Sequence, residues 1–328
     1  MRLRQATAIA AALPVLCLAT AATAQSSYTL SGYLDIGLYR GFDKSRNVGT
    51  IQRSSITLAG TEDLGSGLNA TFKLQQRFDA DTGGTEGAGS KPFWHGESTV
   101  GLKGAFGHVR LGRALDVIYA NDWAFDPWSN FDRVASPAWN NWHWNYATDR
   151  TANNGSPEYG RLSNGLFYDS PSLGGFTVHF SGAFENSAGA GGGTGDNAGL
   201  AVQYASGPVA LMLAGSRNSS GDTIQFAGVR YRADALTLMA AYDRSVFDAV
   251  IDSTAEVVTI GAVYAVGSGH LKAGFGHRDV DGAKSRFIGL GADYSLSKRT
   301  TAYVSLGRQD PDGAANRTAY GMGISHSF

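Results

Sequence analysis

Cysteine is nearly missing from this 328-residue chain, and the single one, Cys17, lies within the first 24 residues. The rest of the chain therefore cannot form a disulfide. Neither sign of charge dominates, with 27 Lys and Arg against 28 Asp and Glu, so the chain lacks the broad basic face that nucleic-acid phosphates require. Beyond residue 24 no apolar run reaches the roughly 18 residues of a spanning helix. A long chain without disulfides must be stabilised by backbone pairing, packing or a membrane.

The first 24 residues differ in composition from the rest. Arg2 and Arg4 precede an apolar run over residues 6–19, and Ala22-Thr23-Ala24 follows it. This order of basic, apolar and small residues is typical of a secretory signal peptide. A membrane anchor is the alternative, but an apolar run of about 14 residues is too short for a bilayer that needs about 20. We predict a signal peptide over residues 1–24 and an exported domain over residues 25–328.

Apolar and polar residues alternate repeatedly after the signal peptide. In residues 28–38, for example, Leu34 and Ile36 share one face and Asp35 lies on the other, as in a strand with one apolar face. Sixteen such segments occur, near residues 28–40, 53–63, 68–79, 94–104, 107–116, 161–170, 175–184, 197–205, 208–217, 222–232, 236–246, 255–266, 269–279, 286–296, 300–309 and 318–328. An even number predicts an all-β fold, a 16-stranded antiparallel transmembrane β-barrel, because a closed barrel leaves no backbone edge facing lipid. A soluble β-sandwich is the alternative, but it rarely uses so many strands and buries its apolar faces.

The connections between these segments alternate in length. Residues 65–67 and 267–268 are short turns containing glycine, whereas residues 41–52 and 80–93 are longer and polar. Short periplasmic turns and long external loops are expected of an outer-membrane barrel. The longest connection, residues 117–160, far exceeds the roughly 15 residues above which a loop usually has a function.

A set of short motifs carries a family resemblance. They are Ser54-Ser55-Ile56-Thr57-Leu58-Ala59-Gly60-Thr61-Glu62-Asp63-Leu64-Gly65, Val100-Gly101-Leu102-Lys103-Gly104, Val109-Arg110-Leu111-Gly112-Arg113, Tyr168-Asp169-Ser170-Pro171-Ser172-Leu173-Gly174-Gly175-Phe176 and the terminal His326-Ser327-Phe328. In order and spacing they resemble the Gram-negative general porins along the whole of residues 25–328. The resemblance implies an outer-membrane barrel in contact with lipid and lipopolysaccharide, usually a homotrimer, whose third long loop, here 117–160, folds into the lumen as a constriction. It also implies that the outer-membrane assembly machinery reads Phe328.

Charged residues at such a constriction matter because a pore selects by diameter and by the charges along its water path. Alternation against apolar neighbours predicts a basic wall facing the lumen, formed by Arg53, Lys73, Arg77 and Arg161. Simple alternation points Arg113 toward lipid, where an arginine costs about 2–4 kcal/mol. A bend at Gly112 would turn Arg113 into the lumen instead, and the resemblance implies that orientation.

The long loop offers carboxylates that could face the basic wall, namely Asp116, Asp122, Asp126 and Asp132. A basic wall opposite an acidic loop would produce a transverse field that orients dipolar solutes. Each of these charges could instead be a solvated rim residue. Positions 55 and 59, often basic in the family, are Ser55 and Ala59 here, so the preference between anions and cations stays open.

Five of the six tryptophans lie in the long loop: Trp123, Trp128, Trp139, Trp142 and Trp144. We expect them mainly to anchor the loop to the inner barrel wall as large amphipathic side chains. The alternative is that the rings narrow the pore or stack on a sugar or an aromatic acid, which would make the channel selective for one substrate class.

No motif points to catalysis. The chain contains neither G-x-S-x-G nor H-E-x-x-H, and its seven histidines are scattered. We therefore predict a passive, water-filled outer-membrane channel for small hydrophilic solutes and ions, without enzyme activity, cofactor, metal or nucleic-acid partner. A substrate-selective channel is the alternative, and an outer-membrane enzyme or a structural adhesin is a third hypothesis.

Overall fold

The computed structural model describes residues 26–87, 91–144, 160–183, 197–247 and 252–328. The predicted signal peptide, residues 1–24, lies outside the described residues, and so do residues 145–159 of the predicted constriction loop. Within the described ranges, no helix is long and apolar enough to cross a membrane.

Antiparallel strands form one closed sheet in which sequence neighbours pair and the last strand pairs with the first. The described strands are β1 (Ser26–Arg40), β2 (Arg46–Gly49), β3 (Ser54–Gly65), β4 (Leu68–Phe78), β5 (Glu97–Gly104), β6 (Gly107–Leu115), β7 (Arg161–Asp169), β8 (Phe176–Ala183), β9 (Asn197–Ser206), β10 (Val209–Arg217), β11 (Thr223–Ala233), β12 (Leu236–Phe247), β13 (Ser253–Val266), β14 (Gly269–Val280), β15 (Ala283–Ser295), β16 (Thr300–Pro311) and β17 (Arg317–Ser327). The predicted 16-stranded barrel is confirmed. The short β2, in a segment predicted as a loop, is an addition that pairs with the end of β1.

The two faces of the strands differ in exposure as the alternation predicts. In β13, Val257 is fully buried, whereas Val258 and Ile260 are 47% and 54% exposed on the outer surface. In β1, Leu34 points outward and Asp35 is buried inside the barrel. An apolar band of this extent would be unfavourable in water, and lipid removes it from water.

The barrel closes through the last residue of the chain. The Phe328 N–H donates to the Gly32 carbonyl at 3.1 Å, and the Phe328 carbonyl accepts from the Gly32 N–H at 3.0 Å. The Phe328 ring lies over Gly32 so closely that a Cβ there would come within 2.1 Å of a ring carbon. The C-terminal aromatic residue is therefore part of the strand pairing between β17 and β1.

The connection between β6 and β7 lies inside the barrel over its described part, residues 116–144. It contains a 3-10 helix (Asp122–Phe125) and one short helix, α1 (Pro137–Asn141). Its apolar residues pack against inward-facing residues of β10 to β13, and the joint cluster includes Val117, Ile118, Phe125, Trp142, Met212, Ile224, Phe226 and Val257. We call residues 116–144 the inner loop.

Candidate channel constriction

Glycines of the inner barrel wall let the inner loop lie almost against the sheet. A Cβ on Gly289 would be 1.9 Å from the carbonyl oxygen of Ala135, and a Cβ on Gly307 would be 1.9 Å from that of Val134. The same close approach recurs at Gly228 under Phe125, Gly261 under Pro127 and Gly274 under Pro137. The inner loop therefore follows the wall from β11 to β16.

The carboxylate of Asp126 organises the middle of the inner loop. It accepts hydrogen bonds from the N–H groups of Trp128 at 2.9 Å and Asn130 at 3.0 Å. It also accepts from the N–H of Ala138 at 3.1 Å and from Ser136 Oγ at 2.9 Å. Asp126 thus ties the start of α1 to the preceding turn.

Asp116 and Asp132 attach the inner loop to the wall. Asp116 accepts hydrogen bonds from the hydroxyls of Ser181 and Ser216, both at 3.0 Å. Asp132 accepts from Ser305 Oγ at 2.5 Å and from two N–H groups of its own turn. Both carboxylates are buried.

The prediction that Asp116, Asp126 and Asp132 form an acidic surface facing the basic wall is therefore wrong. N–H groups of the loop and hydroxyl groups of the loop and the wall donate hydrogen bonds to these carboxylates, which are therefore buried where the loop contacts the wall. Burial raises the pKa of all three.

Asp122 belongs to a buried cluster at the end of the described inner loop. His143 Nε2 lies 2.6 Å from Asp122, and His143 Nδ1 lies 2.7 Å from Asp243 of β12. Burial opposes protonation of His143, but the charge of Asp243 and the hydrogen bond with Asp122 outweigh it and raise the pKa of His143 to about 10. The protonated imidazole bridges two carboxylates and joins the loop to β12.

A cavity of about 530 Å³ lies between the inner loop and the strands opposite it. Among the described residues, it is lined by the cationic side chains Arg53, Lys73, Arg77, Arg161 and Lys272 and by the carboxyl groups of Glu97 and Asp122. Four of the five residues of the predicted basic wall are thus brought together, and Arg113 is not among them. Sequence reasoning missed Lys272, although alternation opposite the outward-facing Leu271 would have placed it in the lumen.

Two glutamates that sequence reasoning also missed contact the basic wall. Glu97 lies 2.8 Å from Lys73 Nζ and 3.1 Å from Arg110 Nη1. Glu86 lies 2.5 Å from Arg77 Nη2 and is shared in the same way with Lys91 at 3.5 Å. Because each carboxylate serves two cations, positive charge remains in excess along this wall.

Arg53 is held between the barrel and the inner loop. Asp35 positions it by accepting the N–H groups of residues 51 and 52 at 2.8 and 2.7 Å. The guanidinium also donates to the Tyr119 hydroxyl. Its carbon lies 4.7 to 5.3 Å from the ring centroids of Phe131, Trp139 and Tyr119. These are cation–π distances, so aromatic faces of the loop meet this arginine.

Arg113 lies inside the barrel but is not among the described residues that line the cavity. The register of β6 shifts between Gly112 and Ala114, and Gly112 has φ +127°. The bend turns the guanidinium inward, where Nη1 donates to Ser163 Oγ at 2.6 Å and Nε to the His95 carbonyl at 3.3 Å. Burial, together with nearby positive charge, lowers the pKa of His95 to about 2, so its ring is neutral. Arg113 fastens the His95 segment to the wall.

The loop tryptophans divide into two kinds. Trp128 and Trp142 are buried, and Trp142 Nε1 donates to Thr259 Oγ1 of β13 at 3.1 Å. Trp123 and Trp139 are exposed, at 49% and 38%. Trp144 lies against Arg278, whose guanidinium carbon is 4.1 Å from the ring centroid.

A second cavity of about 220 Å³ continues the water path. It shares Tyr33, Gln52, Trp128 and Lys272 with the first and reaches Arg299 beside the short turn between β15 and β16. The second cavity therefore extends from residues of the constriction toward the rim of short turns. No group of three or more His, Cys, Asp or Glu within the described residues is suited to hold a metal ion.

Comparison with known proteins agrees with this architecture. A family model described as Gram-negative porin matches residues 6–314. Outer membrane porin protein 32 of Delftia acidovorans is 31% identical over 90% of this chain and 87% of its own, and major outer membrane protein P.IB of Neisseria meningitidis serogroup B is 26% identical over 97% of each. The solved structure of the anion-selective porin from Comamonas acidovorans has a TM-score of 0.80 and 25% identity, covering 93% of this chain and all of that one. The chain belongs to the Gram-negative porin family and is an outer-membrane diffusion channel, not an enzyme.

Proposed function

We propose that this porin passes small anions in preference to cations. The observation that carries the proposal is the lining of the constriction, which has five cationic side chains and two carboxyl groups among the described residues. The relative from Comamonas acidovorans is itself named an anion-selective porin.

The basic wall acts through the field that it produces in the cavity. Low-dielectric walls focus a potential of one sign and raise the local concentration of the opposite ion. Asp116, Asp126 and Asp132 are buried and hydrogen-bonded within the loop and its wall contacts, and none of them lines the 530 Å³ cavity. Five basic side chains attract anions and carry them past the inner loop: Arg53, Lys73, Arg77, Arg161 and Lys272.

Reversal potentials in planar bilayers under a potassium chloride gradient test this proposal. For the wild type we expect a reversal potential whose sign indicates preference for chloride. For Lys73→Gln and Lys272→Gln we expect a smaller reversal potential. Lys284→Gln is the matched control, because Lys284 is an exposed lysine of β15 outside the cavity lining. A potential with the sign of potassium preference would overturn the proposal.

The assembly proposed for the porin is a homotrimer in contact with lipid and lipopolysaccharide. Support comes from a structural neighbour, OmpT of Vibrio cholerae, whose structure is described as a trimer form and which shares the fold at 14% identity and a TM-score of 0.67. Chemical crosslinking of protein extracted from membranes should give a three-chain species. Monomer alone, at crosslinker levels that join a known trimeric porin, would contradict a trimer.

We propose that residues 1–24 direct export and that Phe328 directs assembly into the outer membrane. Cleavage of residues 1–24 predicts Gln25 as the first residue of the mature protein, which N-terminal sequencing tests directly. Recognition of Phe328 by the assembly machinery predicts that Phe328→Ser reduces the amount in the outer membrane, with Ser327→Ala as the control. An unchanged amount of Phe328→Ser would contradict that role.

A further inference from the structure

We propose that the constriction binds small aromatic carboxylates in transit, with the ring against Trp123 and Phe131 and the carboxylate toward Lys73. The inference rests on the proposed anion preference and adds the class of solute that the same cavity retains. It follows from the nature of the two surfaces that face each other across the cavity, one basic and one aromatic.

The aromatic surface is partly exposed to the cavity. The indole Nε1 of Trp123 donates to the Ala120 carbonyl at 2.8 Å, so the polar edge of the ring is satisfied within the loop. About half of Trp123 is nevertheless exposed, and Phe131 is 39% exposed. Both line the cavity. Trp128 and Trp142 are buried, whereas Phe131 contacts Arg53 and still leaves 39% of its surface exposed.

Exposure of these rings to water is unfavourable unless a solute covers them. Burying apolar surface contributes about 25 cal/mol per Å², and an aromatic ring prefers an offset or edge contact with another ring. A flat aromatic solute can make such a contact while it remains in the water path.

The basic surface supplies the charge that a carboxylate requires. The Lys73 side chain is 42% exposed, and its carboxylate neighbour among the described residues, Glu97, is shared with Arg110. Lys272 lines the same cavity, and its neighbour Asp293 is shared with His270. A solute anion therefore meets cations whose charge the protein balances only in part.

The two surfaces together select the chemical class. A neutral sugar would use the rings but not the excess positive charge, and an aliphatic carboxylate would use the charge but not the rings. A small aromatic carboxylate uses both. The cavity volume of about 530 Å³ lies within the range of small-molecule sites, so such a solute fits together with water.

Bi-ionic reversal potentials in planar bilayers provide the test, with sodium benzoate against sodium acetate as probes. The measurements are made at pH 8, where both carboxylates are ionised. Because free benzoate is larger and diffuses more slowly than acetate, a benzoate-to-acetate permeability ratio above one requires attraction by the channel. We expect a ratio of roughly 2 to 10, from the range of aromatic pair contacts.

Trp123→Leu and Phe131→Leu should each lower the ratio toward one, because they keep apolar volume and remove a ring. Trp94→Leu is the matched control, since Trp94 is the one tryptophan in the sequence outside the inner loop and it does not line the cavity. Retained single-channel steps in chloride show that each variant has folded.

A wild-type ratio of one or below overturns the inference whether or not the variants fold. A ratio above one that neither variant changes overturns the assignment to Trp123 and Phe131. Both outcomes leave the proposed anion preference intact if chloride is still favoured over sodium. Sodium preference in the wild type would instead overturn the proposed function.

Discussion

The seat of the inner loop on wall glycines makes Gly289→Ala an informative substitution. The new methyl group would lie 1.9 Å from the carbonyl oxygen of Ala135. That oxygen belongs to the loop backbone, so it cannot turn aside as a flexible side chain can. The loop must instead move off β15.

The displacement and its effect on the current follow from these distances. Ordinary contact with a Cβ begins near 3.4 Å, so the carbonyl must retreat by about 1.5 Å. Residues 128–131 of the same loop line the 530 Å³ cavity, so a displaced loop should narrow it. We expect a fall in single-channel conductance. Overpacking of this kind also destabilises by about 1–3 kcal/mol.

Single-channel recording in potassium chloride measures the effect, with thermal unfolding of the same preparation. Gly215→Ala is the matched control, because the nearest heavy atom to its new methyl group is 3.8 Å away. It adds the same group to a barrel strand without a clash and should leave conductance and unfolding temperature unchanged. Wild-type conductance and stability in Gly289→Ala would refute the close seating of the loop on β15.

Three further substitutions probe the loop and its charges. Asp126→Ala leaves buried N–H donors without an acceptor, and each unpaired donor costs about 1–3 kcal/mol of stability. We therefore expect proteolysis within the inner loop to be faster in Asp126→Ala than in Asp122→Asn. Equal rates of proteolysis in the two variants would contradict the role of Asp126. Because the pKa of His143 is raised from 6.5 to about 10, its contribution to loop attachment is complete below pH 6.5 and is lost as the pH rises through about 10. Current noise should therefore increase between pH 9 and 11 in the wild type, and His143→Gln should lack this increase; a step of equal size in both would exclude His143 as its source. Glu97→Gln removes the carboxylate nearest Lys73, so the reversal potential should shift further toward chloride, whereas the exposed Glu62→Gln should not shift it.

The strands were predictable because the period of a strand is local. Residues two apart share a face whatever lies elsewhere in the chain, so the outward Val258 and the inward Val257 could be assigned from their neighbours alone. The same rule brought Lys73, Arg77 and Arg161 to the lumen. For Arg113 alternation gave the wrong face, and the glycine at 112 was the local sign that alternation breaks there.

The loop carboxylates were not predictable, because their partners are distant in sequence. The serine hydroxyls that bind Asp116 lie 65 and 100 residues further along the chain. Asp243, which fixes His143, is also 100 residues away. No spacing in the sequence shows that a carboxylate of the loop will meet a hydroxyl of the wall rather than water.

By itself, then, the sequence determined the barrel, the direction of its strand faces and most of its basic wall, since each depends on neighbours along one strand. Only the tertiary structure decided what stands opposite that wall. Closure of the barrel brings the loop onto glycines of β11 to β16, buries the carboxylates of Asp116, Asp126 and Asp132 in hydrogen bonds, and leaves the ring of Trp123 facing the water. An acidic loop in the sequence is therefore an aromatic surface in the channel, because burial and hydrogen bonding rather than composition decide which groups of a loop meet the solute.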